Sequence, residues 1–186
     1  MKVIGVIGKN GSGKDEVLRC FRDKYGVPFL STGDIVREIA AAEGLKPTRE
    51  NLQAISERYF KERGKGCFVR MVIDKIREND WKIAGISGVR SPQDVDILRK
   101  ELGNRFVLIY VYVTDPHVRF KRMLKRGEGR DAKAYDQFLQ QDKAEEKFFN
   151  IEKAAAKADY SLSNDGSLGD LRNAIDNLVS DDKLLA

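Results

Sequence analysis

The stretch Val3-Ile4-Gly5-Val6-Ile7-Gly8-Lys9-Asn10-Gly11-Ser12-Gly13-Lys14-Asp15-Glu16-Val17-Leu18 decides the fold. Val3 to Ile7 is a continuous run rich in β-branched residues, the pattern of a strand buried on both faces. Val17 and Leu18 begin a helix, and between the two lies a glycine-rich loop. Glycines at Gly8, Gly11 and Gly13 allow backbone N–H groups to turn inward around an anion. The following helix aims its N-terminus at that anion, and Lys14 reaches its outer oxygens. The spacing G-x-x-x-x-G-K is met from Gly8 to Lys14. A plain glycine turn would not need the lysine, the strand and the helix in this register. The next position ordinarily carries Ser or Thr to hold Mg²⁺, and here it is Asp15, whose carboxylate can ligate Mg²⁺ itself or through water. On the motif alone, Asp15→Ser restores the ordinary form and keeps activity.

Outward from this stretch, further apolar runs predict strands at Val27 to Leu30, Ile83 to Ile86, Phe106 to Val113 and Tyr160 to Leu162. Helical spacing predicts helices over Asp15 to Lys24, Ile35 to Glu43, Arg49 to Arg63, Phe68 to Arg77, Pro92 to Glu101, Pro116 to Arg126, Ala134 to Lys157 and Leu168 to Val179. Strands alternating with helices predict a three-layer α/β/α fold around a five-stranded parallel sheet. Asp34 to Asn79 interrupts the alternation with three helical segments, a helical insertion. There is no internal repeat.

A chain of 186 residues can bury a full core in one domain without disulfides or a metal. Its two cysteines, Cys20 and Cys67, form no C-x-x-C pair, so they read as buried thiols rather than zinc ligands. No apolar run is long enough for a membrane-spanning helix, and Met1-Lys2 leads straight into the first strand without a signal-peptide pattern, so a cytoplasmic protein is expected. The formal net charge of +5 is concentrated. His117 to Arg130 holds six of the 34 Lys and Arg but one of the 29 Asp and Glu, and the rest of the chain balances. A protein coating a nucleic acid spreads positive charge over a face. A short basic segment fits a compact anion better.

Three further segments carry candidate chemistry. Thr32 and Asp34 in Leu30-Ser31-Thr32-Gly33-Asp34-Ile35-Val36-Arg37 can cap the next helix. A cap does not account for Arg37, a cation set against the helix dipole in the first turn. Ile86-Ser87-Gly88-Val89-Arg90 ends the third strand at the sheet edge where open α/β sheets bind ligands. Arg119, Arg122 and Arg126 fall at i, i+3 and i+7 along one helical stripe, with Arg130 beyond it. Guanidinium groups on a closing lid stabilise the charge spread during phosphoryl transfer. The alternative is a solvated basic face.

The pattern S-T-G-D-x-x-R after a phosphate loop resembles the nucleoside-monophosphate-binding motif of the adenylate kinase family. The resemblance implies that Thr32 touches the acceptor base and that Arg37 holds its phosphate. Adenylate kinases carry D-G-x-P-R where this chain has Ser87-Gly88-Val89-Arg90 after Ile86. Gly88 and Arg90 match, Ser87 replaces the acidic residue, and the proline is absent. The missing carboxylate alters the metal–water network, and Asp15 or Asp34 can compensate. Ala158 to Gly166, A-D-x-x-x-x-N-x-G, resembles a segment of dephospho-CoA kinases that packs beside the donor adenine, which implies Asn164 there. Over nearly its whole length the chain is most similar to nucleotide kinases, common in archaea, described as related to adenylate and cytidylate kinases.

The resemblance implies a P-loop NTPase fold with a core over about 1–31, 80–118 and 150–186, an acceptor-binding insertion over about 32–79 and a basic lid over about 119–149. It implies ATP and Mg²⁺ as cofactors. ATP would be held by Gly8, Asn10, Gly11, Ser12, Gly13, Lys14 and Asp15 with Arg119 and Asn164, and the metal by Asp15. The acceptor would meet Thr32, Asp34, Arg37, Gly88, Arg90 and Arg130, and Lys14, Arg90, Arg122 and Arg126 would act on the transferred phosphoryl. The leading expectation is a nucleoside monophosphate kinase with small-molecule nucleotide partners and no nucleic acid. Dephospho-CoA kinase, and an NTP-driven switch or RNA or ribosome assembly factor, are the alternatives.

Overall fold

The architecture follows from how the first strand divides its side chains. β1 (Lys2–Ile7) sends Val3 and Ile7 into one apolar cluster and Ile4 and Val6 into another, one on each face of the sheet. That is why its sequence is apolar throughout rather than alternating. The computed structural model of the chain describes residues 1–128, 131–181 and 184–185. After β1 come α1 (Lys14–Tyr25), β2 (Phe29–Ser31), α2 (Thr32–Ala42), α3 (Arg49–Arg63), α4 (Cys67–Glu78), β3 (Ile83–Ser87) and α5 (Pro92–Leu102). A short 3₁₀ turn leads to β4 (Phe106–Tyr112), α6 (Pro116–Arg126), α7 (Tyr135–Phe149), α8 (Ile151–Ala155), β5 (Tyr160–Ser163) and α9 (Leu168–Asp181).

The five strands are all parallel, in the order β2-β3-β1-β4-β5. The larger cluster gathers α2, α3, α4, α5 and α8 on one face, and the other face is covered by α1 and α9. This is the three-layer α/β fold that the alternation predicts. β1 and β3 are in register so that Val6 faces Ser87, which brings the loop after β1 and the segment after β3 to the same edge. Cys20 and Cys67 are both buried thiols. Among the described residues no helix is long and apolar enough to cross a membrane.

The start of β2 and the course of the long helix after the arginine stripe differ from the sequence reading. β2 begins at Phe29 rather than Val27, because Pro28 has no N–H to give a ladder, and only its carbonyl is used, accepting from the Gly85 N–H at 2.7 Å. The helix predicted over Ala134 to Lys157 is two helices. Asn150 adopts the left-handed conformation, φ 56° and ψ 52°, one of the few non-glycine residues that tolerates it, and the chain turns there before Ile151 is buried.

Candidate functional site

The loop Gly8 to Lys14 runs from the end of β1 to the N-terminus of α1, and two of its glycines are demanded by their surroundings. Gly11 has φ 79°, and a Cβ there would lie 2.6 Å from the Arg119 carbonyl oxygen. Gly13 has φ 91°, and a Cβ there would lie 2.2 Å from Asn164 Nδ2. Both contacts tie the loop to later parts of the chain. The buried Asn164 side chain donates to the Ser12 carbonyl at 2.8 Å, supporting the loop from behind. Ser12 itself is buried, and its Oγ finds no partner among the described residues.

Burial holds the Lys14 amine below its ordinary value, with Asp15 opposing that shift and Arg90 adding to it. For Asp15, burial alone would raise the carboxyl. Lys14 and the Ser87 hydroxyl outweigh it and hold the group below the usual carboxylate range. The Ser87 hydroxyl donates directly to Asp15 Oδ1. Lys14, Asp15, Arg90 and Arg126 therefore converge at the sheet edge, although they come from three separate stretches of sequence.

Beyond the loop, Ser31 accepts from the Gly33 N–H and caps α2, so the helix starts three residues earlier than its apolar pattern suggests. Thr32 is thereby released from capping, and its hydroxyl donates to the Gly88 carbonyl at 3.1 Å, joining α2 to the segment after β3. Arg37 lies in the second turn rather than the first and pairs with Asp34 one turn back. The Arg90 guanidinium lies 5.2 Å from the centre of the Phe149 ring. Asp94 closes a capping box with Ser91 and also accepts from the Arg90 N–H at 3.1 Å. Burial pushes its carboxyl up.

These elements surround a cavity of about 440 Å³. Thr32, Arg37, Gly88, Arg90 and Arg126 line it together with Phe60, Phe148 and Phe149. The arginine stripe of α6 does not face one way. Arg119 is 4% exposed, forms a two-pronged pair with Asp142 of α7 at 2.7 and 2.8 Å, and donates to the Asn10 carbonyl at 3.1 Å. Arg126 reaches the cavity while paired with Asp131 at 2.7 Å. Arg122 is half-buried, close enough to Asp165 to help lower that carboxyl after the Ser163 and Thr114 hydrogen bonds, and its Nη1 is buried without a partner among the described residues. Arg130 falls outside the described residues.

Gln140, Gln141 and Asp142 resemble dephospho-CoA kinases weakly, but sequence reasoning passed over the rest of this face of α7, Glu145, Phe148 and Phe149. Glu145 accepts from the Asn10 side chain at 2.8 Å, Asp142 holds Arg119, and Phe148 and Phe149 wall the cavity. The available signal was spacing, since 142, 145 and 149 recur at three and four residues on one helical face.

A glycine loop with lysine at the carboxyl edge of a parallel sheet, facing a cavity lined by arginines, belongs to a P-loop kinase-like fold. The chain is a member of the UPF0200 family, and residues 7–138 match the AAA domain family. It is 36% identical over 180 residues to the UPF0200 protein of Pyrococcus horikoshii, covering 96% of each chain. Among solved structures, shikimate kinase from Bacteroides thetaiotaomicron superposes with a TM-score of 0.59 at 17% identity, over 98% of this chain and 99% of that one. A gluconokinase from Sinorhizobium meliloti gives 0.57 at 15% identity, over 100% and 97%. At such identities the likeness is one of fold.

Proposed function

We propose that the protein is a phosphotransferase that moves the γ-phosphoryl of ATP to a nucleoside monophosphate. One observation carries the reading: the cavity, bordered by Asn10 of the loop, combines three guanidiniums, Arg37, Arg90 and Arg126, with the rings of Phe60, Phe148 and Phe149, and Glu57, Asp94, Asp131 and Glu145 hold the arginines' charge in balance until a phosphate enters. The cavity's volume suits a small ligand. Guanidinium forks match the oxygens of a phosphate, and a nucleobase stacking on an aromatic ring gains roughly 1–3 kcal/mol. A small polyhydroxy acid would use the arginines but would leave the rings without a partner. Thr32 and Gly88 would border the base, Asp34 would orient Arg37, and Arg130 would join the acceptor side.

In this reading Gly8 to Asp15 wrap the ATP phosphates and Lys14 reaches the β- and γ-oxygens. Half-buried, Lys14 meets less screening water than an exposed lysine, which makes its charge more effective. Arg90 and Arg126 meet the charge developing on the transferred group from the acceptor side. Arg119 fixes the loop through Asn10, and Asn164 supports it through Ser12. Arg122 would complete the lid of α6 and α7, whose closure over the core and the 32–79 insertion would exclude water. Mg²⁺ fits the acidic group available. Asp15 is held ionised beside the phosphate loop, and a metal shared with nucleotide phosphates needs few protein ligands. Bound there, Mg²⁺ would neutralise part of the polyphosphate charge.

The test is coupled ADP release with AMP, CMP, deoxynucleoside monophosphates, dephospho-CoA, shikimate and gluconate as acceptors. Turnover with one or more monophosphates and little with the sugar acids is expected. Preference for dephospho-CoA would redirect the reading to that kinase. Phosphate release from ATP alone, stimulated by RNA or ribosomes, would replace it with a switch protein.

A further inference from the structure

Two positions depart from the usual pattern, and they touch. In P-loop nucleotide-binding proteins a hydroxyl from the loop and a carboxylate from a neighbouring strand end hold the metal together. Here the loop position is the carboxylate Asp15, and the strand-end position is the hydroxyl Ser87. The Ser87 hydroxyl donates to Asp15 Oδ1, and β1, which leads into the loop, pairs with β3 at Val6 and Ser87, so the strand end that carries Ser87 lies beside the loop. Ser87 is 3% exposed, at the end of a strand that is buried from Ala84 onward.

We infer that Asp15 and Ser87 form an exchanged metal pair, in which the two donors of the ordinary site have traded places between the loop and β3. The inference rests on the proposed nucleotide kinase reading. Each departure alone would be a defect: a carboxylate beside a triphosphate repels it, and a strand end without an acid leaves the metal short of charge. Together they preserve the donor set, one hydroxyl and one carboxylate. The exchange also makes Ser87 a positioning residue, since its hydrogen bond directs one oxygen of Asp15 and leaves the other to the metal or its water. It reverses the expectation drawn from the loop motif alone. With Ser87 in place, Asp15→Ser does not restore the ordinary site but removes the carboxylate of the pair.

The experiment titrates Mn²⁺ into the protein with adenylyl imidodiphosphate and reads free Mn²⁺ by electron paramagnetic resonance. Nucleotide affinity is measured separately in EDTA, and folding by thermal melting. Asp15→Asn and Asp15→Ser should each weaken Mn²⁺ binding by about 10-fold or more, with nucleotide affinity in EDTA undiminished because a repelling charge has gone. Ser87→Ala should weaken Mn²⁺ binding by less. The double exchange Asp15→Ser with Ser87→Asp should recover most of the loss. A double variant that melts like wild type but binds Mn²⁺ no better than Asp15→Ser would overturn the inference, as would an Asp15→Asn variant that binds Mn²⁺ like wild type. Should the double variant fail to fold, Asp15→Asn decides alone. Failure of the wild type to bind the nucleotide analogue even in EDTA would instead remove the kinase reading and the inference with it.

Discussion

The sheet and the α6–α7 cap are held by different forces. The sheet is covered on both faces by clusters containing most of the fully buried side chains, among them Ile4, Phe21, Phe106 and Leu108. The cap has its own cluster of three buried residues, Met123, Ala132 and Phe138, with Phe120, Tyr135 and Leu139 packed against it. What joins cap to loop is polar: Arg119, held by Asp142 within the cap, donates to the Asn10 carbonyl, and the Asn10 side chain donates to Glu145, while Phe149 at the end of α7 packs against the larger cluster. Apolar burial is non-directional and hard to undo locally, whereas polar contacts can be exchanged for a ligand's oxygens. The difference suits a rigid platform carrying a part that moves.

The comparison is broken most severely from the sheet side. Leu108→Ala removes a fully buried side chain from the middle of β4 and should cost about 3–5 kcal/mol in a denaturant titration, lowering protection from amide exchange throughout the sheet. Phe138→Ala, although Phe138 is only 1% exposed, should cost less than half as much in the global transition and speed exchange mainly in α6 and α7. Equal global costs would show that cap and sheet unfold as one unit. Between these two in size is Asp142→Asn. It leaves the Arg119 guanidinium buried without a counter-charge, a change that costs about 3 kcal/mol where the surroundings cannot relax. Faster amide exchange in α7 and around Asn10, with β1 and β4 unchanged, is the expected pattern.

At the seam itself pH sharpens the comparison. Burial lowers the Lys14 amine in the ligand-free protein, and phosphates placed beside it would raise it again. Binding of ATP should therefore be strongest below the ligand-free value. It should weaken as pH climbs from that value to the higher one of the complex, by at most about tenfold per pH unit for one proton. Calorimetric affinities from about pH 7 to about pH 10 measure this, and Lys14→Arg, which stays charged, should flatten the profile. A profile that falls as steeply in Lys14→Arg as in the wild type would mean that Lys14 is not the group that meets the phosphates.

How much of this was legible in the sequence divides along the same line. Strands buried on both faces announce themselves as unbroken apolar runs, so β1, β3 and β4 and the loop after β1 could be read nearly residue by residue, while β5, Tyr160-Ser161-Leu162-Ser163 with Leu162 alone buried, gave a weaker signal. The motif residues Thr32, Arg37, Gly88 and Arg90 do line one cavity, because the parallel register carries every strand end to one edge. The cap was legible as a block of charge and no further. Sequence spacing puts Arg119, Arg122 and Arg126 on one stripe, but it cannot say that Asp142, 23 residues on, turns the first of them inward. The break at Asn150 was hidden because apolar residues, Phe149 and Ile151, flank it on both sides. The Asp15–Ser87 contact, 72 residues apart, joins two departures that the sequence presents as unrelated.

The smallest effect is expected at the exposed contact between the loop and α8. Lys9 and Glu152 approach to 2.6 Å, yet Glu152 keeps 66% of its side chain in water. Burial alone would lower the Lys9 amine, and the Glu152 carboxylate outweighs it, leaving the group above its ordinary 10.5. A lysine raised in the folded state contributes stability fully below its unfolded value and loses it as pH rises through the folded one, so the contact counts at neutral pH and fades in strong alkali. Its size is limited by water on the Glu152 side, and exposed pairs contribute about 0.2–1 kcal/mol. Glu152→Gln should therefore lower the melting midpoint slightly at low salt. The difference from wild type should disappear near 1 M salt, where screening acts over about 3 Å. If Glu152→Gln instead speeds exchange in α7 as much as Asp142→Asn, then the loop's exposed contact with α8 holds the cap as firmly as the buried Arg119, and the division between platform and cap has been drawn at the wrong residue.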